Sequence, residues 1–194
     1  MIRGIVLAAG FGRRIGTPKA LLTIREETFH ARAVRVLRAN GLSIVSVVNS
    51  AVDVALGPPL ADETRIINPD PDEGGMFGSV RLAIEDASAR GAASAVLLPV
   101  DHALVTIMDV AVIVAALRDG AAIALPVFEG RRGHPVGVSQ QVMREILEAP
   151  PGGTLKELVH KEPGRVVEVP ASFGVVTGIN TQADLDRASI LSFR

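Results

Sequence analysis

The chain has 194 residues, enough for one domain with a substantial buried core. It contains no cysteine, which excludes disulfide frameworks, thiolate metal centres and thiol nucleophiles. Twenty basic residues stand against twenty-one acidic ones, and the only aromatic residues are six Phe, so the chain lacks the polycationic surface and stacking platforms that nucleic-acid binding uses.

The first apolar run, Ile5 to Ala9, is too short for a secretory leader and is broken by Gly10 to Arg14. The longest, Ala103 to Leu117, carries Thr106 and Asp109 and falls short of the roughly 18 residues of a membrane span. These features predict a cytoplasmic protein of a single domain, residues 1–194, with neither a membrane nor a nucleic acid as partner. Charge is uneven, however. Residues 1–40 hold eight basic groups (Arg3, Arg13, Arg14, Lys19, Arg25, Arg32, Arg35, Arg38) and two acidic ones (Glu26, Glu27), a local +6 that points to an anion site.

Ile2 to Ala8 reads as a strand buried on both faces of a parallel sheet. Thr28 to Asn40 spaces Phe29, Ala33, Val34 and Leu37 as a helix that starts at Thr28 and stops at Asn40-Gly41. Ser43 to Val48 and Thr64 to Ile67 read as strands, Phe77 to Ala89 as a helix, Ala93 to Val100 as another buried strand and Thr106 to Arg118 as a helix. Ala121 to Val127 and Gly133 to Val138 form a hairpin about Glu129-Gly130-Arg131-Arg132. Gln141 to Glu148 and Thr154 to His160 are short helices, Arg165 to Val169 a strand, Phe173 to Ile179 a strand-like run and Gln182 to Ile190 the last helix. His30 and His160 fall on helical patterns with no acid at metal-ligand spacing and read as structural. The alternation predicts a three-layer α/β/α sandwich with a mostly parallel, Rossmann-like sheet and one antiparallel hairpin. Ligands of such sheets bind at the carboxyl ends of the strands. That brings together the loop Ala8 to Lys19, the segment Asn68 to Ser79, and Asp101-His102.

The first loop packs three glycines (Gly10, Gly12, Gly16) and three cations (Arg13, Arg14, Lys19) into the thirteen residues from Leu7 to Lys19. Glycine lets backbone N–H groups approach an anion, and the cations supply the countercharge. Neither standard phosphate motif fits. Three residues separate Gly12 from Gly16 where the dinucleotide fingerprint has two, and Lys19 follows Pro18 where a P-loop needs Gly.

The segment LAAGFGRRIGTPKALL does resemble the signature of nucleotidyltransferases, with Ile15 for the usual Met. NPDPDEGGMFGSV, LLPVDHALV, GRRGHPVG and GINTQADL are similar, in order, to segments of the molybdopterin cytidylyltransferase-like branch. Ala103 stands where those relatives have Pro, and Gly178 and Asn180 where they have Asp. The resemblance implies Mg²⁺-dependent transfer of a nucleoside monophosphate from an NTP, CTP in this branch, to a phosphorylated acceptor such as molybdopterin, with release of pyrophosphate. A sugar- or polyol-phosphate acceptor is the alternative within this class. A catalytically weak nucleotide-binding protein serving a molybdoenzyme or its chaperone is the alternative outside it.

Nucleotidyl transfer needs cations on the triphosphate, a seat for Mg²⁺ and stabilisation of charge at the α-phosphorus. The resemblance assigns Arg13 and Lys19 to the phosphates, and Leu7, Ala8, Ala9, Gly10, Gly12, Asn68, Gly74, Gly75 and Ser79 to the nucleotide. Asp101 ends an apolar strand at the ligand crevice and is the expected carboxylate for Mg²⁺ and catalysis, with the Asn180 carboxamide as a second oxygen. Arg131, Arg132 and His134 of the hairpin are the expected acceptor contacts.

Overall fold

A computed structural model describes residues 1–150 and 152–191, with His160 given by its backbone alone. The first half of the chain runs β1 (Ile2–Ala8), a 3-10 turn (Lys19–Leu21), a ribbon of β2 (Thr23–Ile24) and β3 (Glu27–Thr28), α1 (Phe29–Arg38), β4 (Ser43–Val48), α2 (Ser50–Leu56), β5 (Glu63–Ile67) and α3 (Gly75–Ala89). The second half runs β6 (Ser94–Pro99), α4 (Ile107–Arg118), β7 (Ile123–Phe128), β8 (Arg131–Arg132), β9 (Val136–Ser139), α5 (Gln140–Glu148), α6 (Leu155–Lys161), β10 (Val166–Pro170) and α7 (Gln182–Leu191).

The main sheet has the order β10-β7-β9-β6-β1-β4-β5, with β8 paired to β7. β1 pairs in parallel with β4 and β6, β4 with β5, and β7 with β10. β9 runs antiparallel between β6 and β7, so the expected hairpin is present with its return strand inserted into the sheet. Its turn holds Glu129 and Gly130 at φ 48° and 74°, the two successive positive values that let a tight hairpin follow the strand twist.

Strand alternation divides the core in two. Val6 and Ala8 of β1 point to the face covered by α1 and α4, whereas Ile5, Leu7 and Ala9 point to the face covered by α3 and α5. Each fully buried Ile or Val contributes about 1.5–3 kcal/mol, so this two-sided burial explains why the strands read as continuous apolar runs.

The helix starts follow local chemistry. Thr28 Oγ1 accepts from Ala31 N–H at 3.1 Å. Thr106 and Asp109 form a reciprocal capping box at the head of α4. Asp109 also accepts from the N–H and hydroxyl of Ser172, at 2.7 and 2.8 Å, and so ties a distant loop to this helix start.

The structure departs from the sequence reading at several points, the unassigned Lys19–Leu21 turn and β2–β3 ribbon among them. A short helix, α2, fills the unassigned stretch after β4; only Val52 of it is buried, and Asn49 caps it by accepting from Val52 N–H at 2.9 Å. Phe173 to Ile179 is not strand-like: Phe173–Val176 is a 3-10 turn, with i to i+3 bonds Val175 N–H to Ser172 O and Thr177 N–H to Gly174 O. Those local bonds, with Ile179 N–H to Asp101 O and His134 N–H to Val175 O, take up its backbone groups, and no ladder strand pairs with it among the described residues. His30 is structural, as read, but it does have an acidic partner. Its Nε2 lies 2.9 Å from Glu63 Oε1 and 3.1 Å from Ser46 Oγ, all buried. Burial raises the Glu63 carboxyl, yet hydrogen bonds from His30, Ser46 and the Leu60 N–H outweigh it and hold Glu63 at about 2. The side chain of His160 lies outside the described residues. No helix among those described is long and apolar enough to cross a membrane.

Candidate active site

At the carboxyl ends of β1 and β6 the sheet opens into a cavity of about 440 Å³. Leu7 of β1 and Ala9 just past its end line it because the alternation of the strand turns them to the α3 face; the same alternation turns Ala8 away, into the opposite core. The expected contact from Ala8 is therefore corrected. Gly10, Gly12, Arg13, Arg14 and Lys19 line the cavity from the loop after β1. Gly12 has φ 64° and accepts, through its carbonyl, from the N–H groups of Ile15 and Gly16. A Cβ there would lie 1.9 Å from Thr17 O, so only glycine closes this turn.

The first turns of α3 and the segment before it supply the opposite wall. Gly75 and Ser79 line the cavity, together with Pro71 and Met76, which the sequence reading did not single out. Asn68 does not line it. Asn68 is buried, donates from Nδ2 to Ser79 Oγ at 3.0 Å and accepts from Asp70 N–H at 3.1 Å, so it both turns the chain and orients Ser79. Gly74 falls in a neighbouring cavity instead.

Lys19, Asp101 and Asn180 meet at this cavity. Lys19 Nζ donates to Asp101 Oδ2 at 2.9 Å and to Asn180 Oδ1 at 2.6 Å, across 82 and 161 residues of sequence. Two supports hold the backbones that carry these oxygens. The Asp101 carbonyl accepts from Ile179 N–H at 2.9 Å. Asp184 accepts from the N–H groups of Asn180 and Thr181 and from the Thr181 hydroxyl. The Thr181 hydroxyl, the Asn180 N–H and Arg187 together hold the Asp184 carboxyl at about 2. The Thr-x-x-Asp spacing in GINTQADL is the capping signal from which Asp184 was legible. Arg13 pairs with Asp72, and its guanidinium sits 5.4 Å from the Phe11 ring centroid; nothing local in the sequence links these segments.

The second cavity, of about 740 Å³, adjoins the first and shares Leu7, Gly75 and Met76 with it. Phe77, Leu125 and Val136 give it an apolar interior, and Arg132 and His134 line it. Arg132 Nε donates to Glu168 at 2.6 Å. Arg131 is exposed and lines neither cavity, which corrects its expected place: it precedes Arg132 on a strand and so points to the other face. His134 reaches back toward the first site, its ring centroid 4.6 Å from that of His102. A Cβ on Gly133 would lie 2.0 Å from Val175 O, so glycine allows the hairpin to close on the 3-10 turn, where His134 N–H bonds Val175 O at 2.9 Å. Gly178 packs closely here: a Cβ would stand 3.2 Å from Asn180 Nδ2, a tight contact, and 3.7 Å from His102 Nε2.

The donor set suits a hard divalent cation. Asp101 and Asn180 already direct oxygens at one cation, the Lys19 ammonium. No group of three His, Cys, Asp or Glu that could hold a metal occurs among the described residues, so phosphate oxygens must complete any such site, as they commonly do for Mg²⁺.

A mostly parallel sheet that opens at its carboxyl end into a glycine-lined, cation-bearing cavity defines an α/β nucleotide-handling enzyme. The MobA-like NTP transferase domain family matches residues 4–166, and the chain belongs to that family. Over 103 residues it is 36% identical to the Opitutus terrae protein named "Probable molybdenum cofactor guanylyltransferase"; that stretch covers 52% of this chain and 48% of the relative, about half its length. The crystal structure of Rv0371c from Mycobacterium tuberculosis H37Rv is similar with a TM-score of 0.80 at 25% identity, over 97% of each chain. The manganese complex of Rv0371c is similar with a TM-score of 0.76 at 24% identity, over 96% of each chain.

Proposed function

We propose that this chain transfers a nucleoside monophosphate from CTP to the phosphate of a molybdopterin-type acceptor, with Mg²⁺ as cofactor. The observation that carries this reading is the convergence of Lys19, Asp101 and Asn180 at a nucleotide-sized cavity with a second cavity beside it.

In this reading Lys19 binds the α-phosphate, and Arg13 and Arg14 hold the outer phosphates. Asp101 and Asn180 hold the metal. When bound, Mg²⁺ offsets negative charge on the phosphate oxygens. The acceptor occupies the second cavity, its phosphate at the His134 end, nearest Asp101. An acceptor phosphate oxygen attacks the α-phosphorus, the bond from that phosphorus to the bridging oxygen breaks, and pyrophosphate leaves with the electron pair. Neither cavity needs to supply a covalent nucleophile, so positioning and charge stabilisation carry the rate.

The Ala9 side chain faces the nucleotide cavity, and a methyl at that position narrows the space for a purine, which favours CTP. The name of the Opitutus terrae relative favours GTP, which makes guanylyl transfer the second reading. Pyrophosphate release measured with molybdopterin and either CTP or GTP tests both. Release with CTP supports the proposal, release with GTP alone selects the second reading, and release with neither overturns the acceptor.

A further inference from the structure

The cation at the proposed metal seat is the protein's own. Lys19 Nζ lies 2.9 Å from Asp101 Oδ2 and 2.6 Å from Asn180 Oδ1, the two oxygens assigned above to the metal. An ammonium and a divalent ion compete for those oxygens, because like charges a few ångströms apart repel and Asp101 has one negative charge to offer. From this, and resting on the reading that Asp101 and Asn180 hold the metal, we propose that Lys19 is an internal plug. It fills the seat while the cavity holds no nucleotide, and it yields the seat only when triphosphate oxygens offer it a better anion.

The surroundings suit such an exchange. Lys19 carries its charge on a flexible four-carbon stem, and its side chain keeps 22% of its exposure, so it has room to swing. The backbones that carry the two oxygens are held without Lys19. Asp101 is tied through its carbonyl to Ile179 N–H, and Asn180 through its N–H to Asp184. The frame of the seat therefore has its own ties when the ammonium leaves. The nucleotide both removes the plug and completes the ligand set, so metal and NTP bind together. Metal alone is refused, and the carboxylate stays neutralised between turnovers.

Mn²⁺ binding to the full, nucleotide-free chain, followed by electron paramagnetic resonance and calorimetry, tests this without reference to turnover. Wild type should bind Mn²⁺ weakly, and Lys19→Met should bind it at least about tenfold more tightly, since the competing charge is gone. Lys19→Arg keeps a cation at the position and should stay as weak as wild type. Adding Asp101→Asn to Lys19→Met should abolish the gain. Equal Mn²⁺ affinity in wild type and Lys19→Met, with circular dichroism unchanged, would overturn the plug. So would a tightening in Lys19→Arg as large as that in Lys19→Met. A gain in Lys19→Met that survives Asp101→Asn would instead overturn the assignment of the metal to Asp101, and with it the metal reading on which the plug rests.

Discussion

His134 packs against His102 in a tilted arrangement, with ring centroids 4.6 Å apart and an angle of 60° between the planes, joining the hairpin of the second cavity to the end of β6. The Nδ1 atoms of both rings are buried without a hydrogen-bond partner among the described residues. Burial, and then the neighbouring His102, push His134 down to about 4, against the opposing pull of Asp101. Burial likewise lowers His102, more than Asp101 raises it. Two neutral imidazoles therefore face each other at neutral pH.

A consequence is acid sensitivity. With His134 at about 4 in the folded chain against 6.5 for a free side chain, the unfolded state takes up the extra proton first. Stability is thus intact above pH 6.5 and drains as pH falls from there toward 4. His134→Gln should flatten that part of the profile. The chain has no Trp or Tyr, so calorimetry or circular dichroism is the appropriate probe of the melting temperature. An unchanged slope in His134→Gln would show that other groups govern the window.

Ala9→Gly removes the methyl that faces the nucleotide cavity. The ratio of CTP to GTP affinity should shift toward GTP by about tenfold, the lower end of what one such group is worth in a pocket. Calorimetric titration with both nucleotides reads it, and a constant ratio would place base selection elsewhere.

Asp101→Asn removes the carboxylate expected to face the phosphates and metal. Single-turnover transfer should fall about 10²–10³-fold, with the Mg²⁺ midpoint moving upward in the same variant. Asn180→Asp should be milder and should lower the Mg²⁺ midpoint, because it adds a charge to an oxygen already in place. Near-normal turnover in Asp101→Asn would mean that the chemistry does not run through this end of the cavity.

Arg131 and Arg132 are adjacent but face differently, and the acceptor should tell them apart. Arg132→Ala should raise the acceptor KM with little change in CTP affinity. Arg131→Ala should leave both near wild type. Loss of CTP binding in Arg132→Ala, with the fold intact, would contradict the separation of the two cavities.

The longer strands of the main sheet, most helices and the loop after β1 were legible from the sequence, because their causes are local. Apolar runs mark doubly buried strands, Thr106 and Asp109 sit at capping distance, and the Gly12 turn closes within five residues of chain. The short α2 escaped because a helix with one buried residue leaves no periodic signal. The strand-like reading of Phe173 to Ile179 failed because apolar content alone does not separate a ladder from a 3-10 turn. Membership of the site depended on more than composition. Ala8 and Ala9 are the same residue type in adjacent positions, and only the twist and pairing of β1 decide which one meets the nucleotide cavity. The Lys19 contacts with Asp101 and Asn180, the pairing of Arg13 with Asp72, and the tilted His102–His134 contact all join segments remote in sequence. Such contacts have no local signature, since hydrogen bonding and charge act through space, and the order of strands in the sheet sets which side chains come within reach.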